Sequence, residues 1–180
     1  MAWKRYESIH NGLGTLCEVY LNESEGLIKR YFIENARTVS GKPTRFSKEE
    51  IDIFFENEIY WLNQLESCWI PETVEINKGE RYIIQKYYNS NLLDYKSKVY
   101  SLLPDIEEQI IEMYKFFKEK NVFKRNGSLS NLTYNKNQLI AFDFKWSTKR
   151  PKGLEKEIYS YENYLNKINP ELTNKLKELI

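Results

Sequence analysis

The strongest pattern in the sequence is a helix that lies between two β-hairpin signals. Ser47 and Glu50 have the spacing of a capping box, and apolar residues then recur at helical spacing, which predicts one long amphipathic helix over residues 48–66. Four segments rich in strand-forming residues flank it, and each pair encloses a polar turn: residues 16–21 and 27–32 before the helix, and 73–76 and 81–87 after it. The first half of the chain therefore predicts an antiparallel sheet with one helix.

The second half predicts mainly helices, with one more hairpin among them. An acidic start followed by apolar residues at helical spacing predicts a helix over residues 104–120. A short strand at 132–134 and an apolar strand at 139–142, which ends in Asp143, flank a polar turn. Polar stretches predict loops at 34–46 and 124–131. Two more helices are predicted near the end of the sequence, one over 154–168 and a last short one that begins at Pro170. The whole pattern predicts the α+β class.

Several short motifs occur in the order that the protein-kinase-like fold uses, and the chain resembles that superfamily. The segment Gly12-Leu13-Gly14-Thr15-Leu16-Cys17-Glu18-Val19 resembles the kinase G-x-G-x-x-G-x-V loop, with a cysteine at the third glycine. Glycines at such a loop let backbone amides approach phosphate oxygens. In the next predicted strand, the resemblance implies that Lys29 contacts nucleotide phosphates and pairs with Glu58 of the long helix.

Two oxygen-bearing side chains in the second half extend the resemblance. Asn131 is followed twelve residues later by Asp143, with a predicted hairpin in between. They resemble the catalytic-loop asparagine and the metal-binding aspartate that hold magnesium in kinases. Asp143-Phe144-Lys145 resembles D-F-G with lysine in place of glycine.

One departure from the kinase pattern concerns catalysis. The position five residues before Asn131, where kinases have the catalytic aspartate, is Asn126. An asparagine cannot accept a proton as a carboxylate does, and losing a general base commonly costs about 10²- to 10⁴-fold in rate. A second departure is that only residues 144–180 follow Asp143, which leaves room for about two helices. An active phosphotransferase and a catalytically impaired pseudokinase both stay open, and the acceptor is not indicated.

The resemblance implies a single kinase-like domain over residues 1–180. Its antiparallel β-rich N-lobe with one long helix would span residues 1–88, and a reduced helical C-lobe would span 89–180. The implied cofactors are ATP and Mg²⁺. Apart from the residues already named, Gln85 and Tyr87 are expected near the adenine, by position alone.

An alternative function is a non-catalytic module that binds a protein or nucleic-acid partner through its aromatic residues, which make up 15% of the chain. Nucleic acid is disfavoured because 27 Lys and Arg balance 26 Asp and Glu. A second subunit could cover an apolar face of the shortened lobe, so homodimerisation is one hypothesis. Neither a secretory signal nor a long apolar run is evident, so we expect no membrane contact and a cytoplasmic protein, or host cytoplasm if the AT-rich codon bias reflects a virus.

Overall fold

The computed structural model describes residues 2–6, 16–37, 43–88, 101, 103–124, 131–150 and 169–178. The chain forms two compact units. Unit 1 comprises Met1–Ile59 and Pro71–Tyr87, and unit 2 comprises Tyr60–Ile70 and Tyr88–Ile180. The predicted α+β class is confirmed. None of the helices within the described ranges has the length and hydropathy needed to cross a membrane.

Among the residues that the structure describes, unit 1 contains a five-stranded antiparallel sheet. Its strands lie in the spatial order β1-β2-β3-β7-β6. Their bounds are as follows: β1 Lys4–Arg5, β2 Cys17–Asn22, β3 Leu27–Phe32, β6 Thr73–Asn77 and β7 Tyr82–Lys86. Both predicted hairpins, β2–β3 and β6–β7, are confirmed by their pairing, and a register shift between Thr73 and Glu75 interrupts the second one. The two edge strands of the sheet are β1 and β6. The sequence did not predict β1.

The helix α1, Lys48–Gln64, is the predicted long helix, two residues shorter at its end. Its capping box forms as expected, because the Ser47 amide donates to Glu50 and the Glu50 amide donates to the Ser47 hydroxyl. Ile51 and Phe55 are buried, and the Phe55 ring packs edge-on against Phe32 of β3 at 5.2 Å between centroids. The amphipathic pattern thus anchors this part of the helix on the sheet.

One expectation for unit 1 is wrong. The polar stretch 34–46, predicted as a loop, contains a short antiparallel pair, β4 (Asn35–Arg37) and β5 (Pro43–Arg45). Three-residue strands carry too little alternation for a periodicity argument to detect. The correction adds a ladder before α1 and leaves the main sheet order unchanged.

Unit 2 contains the described helices α2, Ile106–Glu119, and α3, Pro170–Lys177. Each matches a predicted helix, and Pro170 is the first residue of α3, with the Asn169 side chain accepting from the Glu171 amide. The remaining strands form two antiparallel pairs: β8 (Val122–Phe123) with β11 (Thr148–Lys149), and β9 (Leu132–Asn135) with β10 (Gln138–Ala141). The helix expected over 154–168 lies outside the described residues.

Candidate functional site

A buried polar cluster links the third strand of the sheet to helix α1. Arg30 of β3 donates through Nη2 to Glu58 Oε1 at 2.7 Å and to Gln85 Oε1 of β7, also at 2.7 Å. Glu58 is fully buried, and Arg30 and Gln85 are 8% and 2% exposed. Because a buried charge is costly unless it is paired, the cluster fixes α1 against the sheet.

The predicted ion pair between Lys29 and Glu58 is wrong, because successive strand residues point to opposite faces. Arg30 occupies the face that meets α1. The Lys29 ammonium instead lies over three aromatic rings, with centroid distances of 4.9 Å to Trp3, 5.4 Å to Tyr31 and 4.3 Å to Tyr82. These contacts are cation–π interactions, so Lys29 is held on the other face of the sheet from Glu58.

The aromatic surroundings of Lys29 are stabilised by their own hydrogen bonds. The Tyr82 hydroxyl donates to Glu75, and this hydrogen bond raises the pKa of Tyr82 above its usual value. Lys29 also lines an open cavity of about 480 Å³ together with Trp3, Glu18 and Tyr20. Neither Arg30 nor Glu58 lines this cavity.

The structure also places three other residues of unit 1 that the sequence predicts to bind the nucleotide, namely Val19, Gln85 and Tyr87. Val19 of β2 is the register partner of Arg30. Gln85, expected near an adenine, has its side chain in the buried cluster, where its amide nitrogen also faces the Thr73 hydroxyl at 3.4 Å. The Tyr87 amide donates to the Gly26 carbonyl at 2.8 Å, which holds the end of β7 beside the β2–β3 turn. The adenine role of Tyr87 stays a prediction, as do the phosphate roles of Gly12 and Gly14, which lie outside the described residues.

The hairpin β9–β10 brings Asn131 and Asp143 to one end, as the sequence predicts. Its strands pair from Asn135 opposite Gln138 to Leu132 opposite Ala141. The Phe142 amide then donates to the Asn131 carbonyl at 3.0 Å and extends the pairing by one step. Asn131 and Asp143 therefore flank the open end of the hairpin, whereas Asn126 lies outside the described residues.

Gln109 of α2 holds this hairpin in place. Its side-chain amide nitrogen donates to the Asn137 carbonyl at 2.7 Å, and its carbonyl oxygen accepts from the Leu139 amide at 2.7 Å. Gln109 is 7% exposed, so water cannot easily replace these bonds. One helix side chain thus satisfies two backbone groups at the turn end of the hairpin.

We expect Gln109→Leu to destabilise the hairpin. The substitution keeps the apolar stem and removes both bonds. The bond from the Leu139 amide is buried, and a buried backbone group left unsatisfied costs about 1–3 kcal/mol. Urea unfolding should report the loss, and hydrogen exchange should accelerate at Leu139. The exposed neighbour Glu108 gives the control Glu108→Leu. An unchanged exchange rate at Leu139 in Gln109→Leu would contradict the clamp.

The segment after β10 is held by two lysines. Asp143 has a φ of 67°, in the left-handed region that aspartate tolerates better than most residues. Lys145 Nζ forms an ion pair with Asp143 Oδ1, and the Lys145 and Asp143 side chains are only 9% and 15% exposed. Lys124, which is 1% exposed, donates to the Asp143 backbone carbonyl at 3.0 Å. Positive charge therefore reaches this aspartate from two directions.

Apolar packing fixes the same segment. Phe144 is fully buried, and its ring lies 5.8 Å from that of Phe117 on α2 and 4.8 Å from the Lys124 ammonium. The Ser147 amide donates to the Phe144 carbonyl at 2.8 Å and closes a turn around Lys145. The Ser147 carbonyl in turn accepts from the Trp61 indole at 3.0 Å. Lys145 is thus presented to Asp143 by a supported turn.

A magnesium ion bound to Asp143 as in kinases does not fit these residues. Magnesium takes one or two protein oxygens and neutralises their charge, and Asn131 and Asp143 are suitable donor types. The Asp143 carboxylate, however, already has the Lys145 ammonium as its ion-pair partner.

Sequence reasoning missed three functional candidates, Arg30, Lys124 and Lys145. For Arg30 a signal existed, because alternate residues of a strand lie on the same face of the sheet. Arg30 is two residues before the buried Phe32 and so shares its face, whereas Lys29 lies on the opposite face. Lys145 stood inside the motif that resembles D-F-G, but its contact with Asp143 depends on the turn at 144–147. Lys124 approaches Asp143 only through tertiary structure, which no local pattern reports.

The site belongs to an α+β protein whose described part contains a five-stranded antiparallel sheet and a buried arginine–glutamate pair. No protein-family model matches the chain. A search of curated proteins finds no significant match.

Proposed function

We propose that this chain is a kinase-like, ATP-binding protein whose phosphotransferase chemistry is impaired. The observation that carries the proposal is the buried ion pair between Arg30, on the third strand, and Glu58, on the following helix. Protein kinases have a lysine–glutamate pair between the same two elements, and that pair must be in place for the nucleotide phosphates to be held. Arginine keeps the positive charge and adds planar, bidentate donor geometry suited to carboxylates and phosphates.

The second half of the chain supports the same proposal. Asn131 and Asp143 flank the open end of a β-hairpin that follows helix α2, in the order of the kinase catalytic-loop asparagine and metal-binding aspartate. Asn126 replaces the carboxylate that would accept the acceptor hydroxyl proton, so weak or absent transfer is expected. The magnesium site that the sequence predicts on Asn131 and Asp143 is not part of this proposal, because the Asp143 carboxylate is paired with Lys145.

The proposal is tested by thermal denaturation of the full chain with ATP, in one buffer with magnesium and one with EDTA. A ligand at about one hundred times its Kd adds about 2.7 kcal/mol, equivalent to about 5–10 °C at this length. We expect ATP to raise the Tm in at least one buffer, and adenosine to raise it less. A Tm that ATP moves in neither buffer overturns the proposal and favours the non-catalytic interaction module.

Hydrogen exchange locates the ligand without any substitution. We expect ATP to slow exchange in residues 7–15, which carry Gly12 and Gly14, and in residues 131–143. Strand β6 provides an internal control, because no residue assigned to the nucleotide lies on it. Protection confined to β6 would place the ligand elsewhere and contradict the assignment.

A further inference from the structure

The Asp143 carboxylate already has a cation partner in Lys145. In the kinase pattern the residue two positions after the metal-binding aspartate is glycine, which leaves that carboxylate to a divalent ion. Here the same position carries an ammonium that forms an ion pair with Asp143 Oδ1. The pair is largely withdrawn from solvent, at 9% and 15% exposure, so it is screened far less than a surface pair.

The geometry of the segment holds this ammonium in place. Lys145 lies in the turn closed by the Ser147 amide and the Phe144 carbonyl, and Phe144 is anchored in the core against Phe117. The backbone at Asp143 adopts a left-handed conformation, and the Lys124 ammonium bonds its carbonyl. Strained backbone persists only when the surroundings fix it, and such positions cluster at functional sites.

We propose that Lys145 takes the place of a divalent cation at Asp143, so that the protein binds the phosphates of its nucleotide without magnesium. The inference rests on the proposed ATP-binding function. A lysine ammonium on the aspartate supplies fixed positive charge and N–H donors to an adjacent phosphate, which is the electrostatic task that the ion performs in kinases. Lys124 adds a second ammonium to the same residue. The ligand class is thus a nucleoside polyphosphate free of bound metal.

The test is calorimetric titration of the full chain with ATP, in magnesium and in EDTA. We expect the wild type to bind with the same Kd in both. Lys145→Met removes the ammonium and should make binding depend on magnesium, with a Kd about tenfold or more weaker in EDTA, the size expected for one charge-assisted hydrogen bond. Lys149→Met is the matched control, because Lys149 is an exposed lysine of the same unit.

Manganese alone gives a readout that needs no nucleotide. Electron paramagnetic resonance should show free Mn²⁺ with the wild type and bound Mn²⁺ with Lys145→Met, whose Asp143 carboxylate has lost its ammonium. Lys145→Arg keeps the positive charge and should behave as the wild type. Lys145→Gln also removes the charge, and it replaces Lys145→Met as the test variant if the latter does not fold.

The outcomes separate the two proposals. Wild-type binding that EDTA abolishes overturns the role of Lys145 and leaves ATP binding intact. Binding of Lys145→Met that is equal in both buffers also overturns the role of Lys145. If ATP binds in neither buffer, both the proposed function and this inference are overturned.

Discussion

Arg30→Met should destabilise the protein by about 3–5 kcal/mol, because it leaves the fully buried Glu58 carboxylate without its partner. At this chain length each kcal/mol corresponds to about 2–4 °C in Tm, so thermal denaturation will resolve the effect. Few other contacts would stabilise the Glu58 charge, since its second carboxylate oxygen has no hydrogen-bond partner among the described residues. The loss arises from the stranded charge.

The adjacent residue provides the matched control. Lys29→Met removes a positive charge from the same strand, but this charge lies over aromatic rings, where each contact is worth about 0.5–1 kcal/mol. The double substitution Arg30→Met with Glu58→Leu removes both charges, and it should regain most of the stability lost in Arg30→Met. Equal losses for Arg30→Met and Lys29→Met, or no recovery in the double variant, would contradict a buried pair.

Asn126→Asp should raise ATP-dependent phosphoryl transfer by about 10²- to 10⁴-fold, the usual contribution of a general base. The prediction rests on the spacing to Asn131, five residues on, and on the proposed kinase-like function. ADP release and autophosphorylation, followed by mass spectrometry, measure it without knowledge of the acceptor. Both are measured with magnesium and with EDTA.

Two further variants sharpen this experiment. Asn121→Asp introduces the same charge at an exposed position five residues earlier and should leave the rate unchanged. Combining Asn126→Asp with Lys145→Gly restores two kinase residues and should give the largest gain in magnesium. A protein that binds ATP yet gains no activity from Asn126→Asp would show that Asn126 is not the counterpart of the catalytic aspartate.

Elements with long or regular patterns could be predicted from the sequence. Helix α1 was predicted because its capping box and apolar spacing agree, and the hairpin β9–β10 because a polar turn separates two apolar strands. The ladder β4–β5 and the strand β1 could not be, since two or three residues show no period. The length of a segment therefore determined whether its secondary structure could be predicted from the sequence.

The site was harder to predict than the fold. The predicted partner of Glu58, Lys29, is adjacent in sequence to the observed partner, Arg30. Adjacent residues of a strand lie on opposite faces of the sheet, so an error of one residue places the side chain on the wrong face. The motif at residues 143–145 indicates Asp143, but it does not contain the whole turn that brings Lys145 to the carboxylate. Side-chain partners depend on tertiary geometry, so the sequence did not show that Arg30 contacts Glu58 or that Lys145 contacts Asp143.

The outer strands of the described sheet influence how the protein behaves at high concentration. An unpaired strand edge is a template on which another chain can add a strand and begin aggregation. One outer strand here, β1, has only two residues, both basic and exposed, and the other, β6, is interrupted by a register shift. Short charged strands and bulges both oppose strand addition, so the sheet resists growing from molecule to molecule. Any homodimer of this chain should therefore use a surface other than these edges.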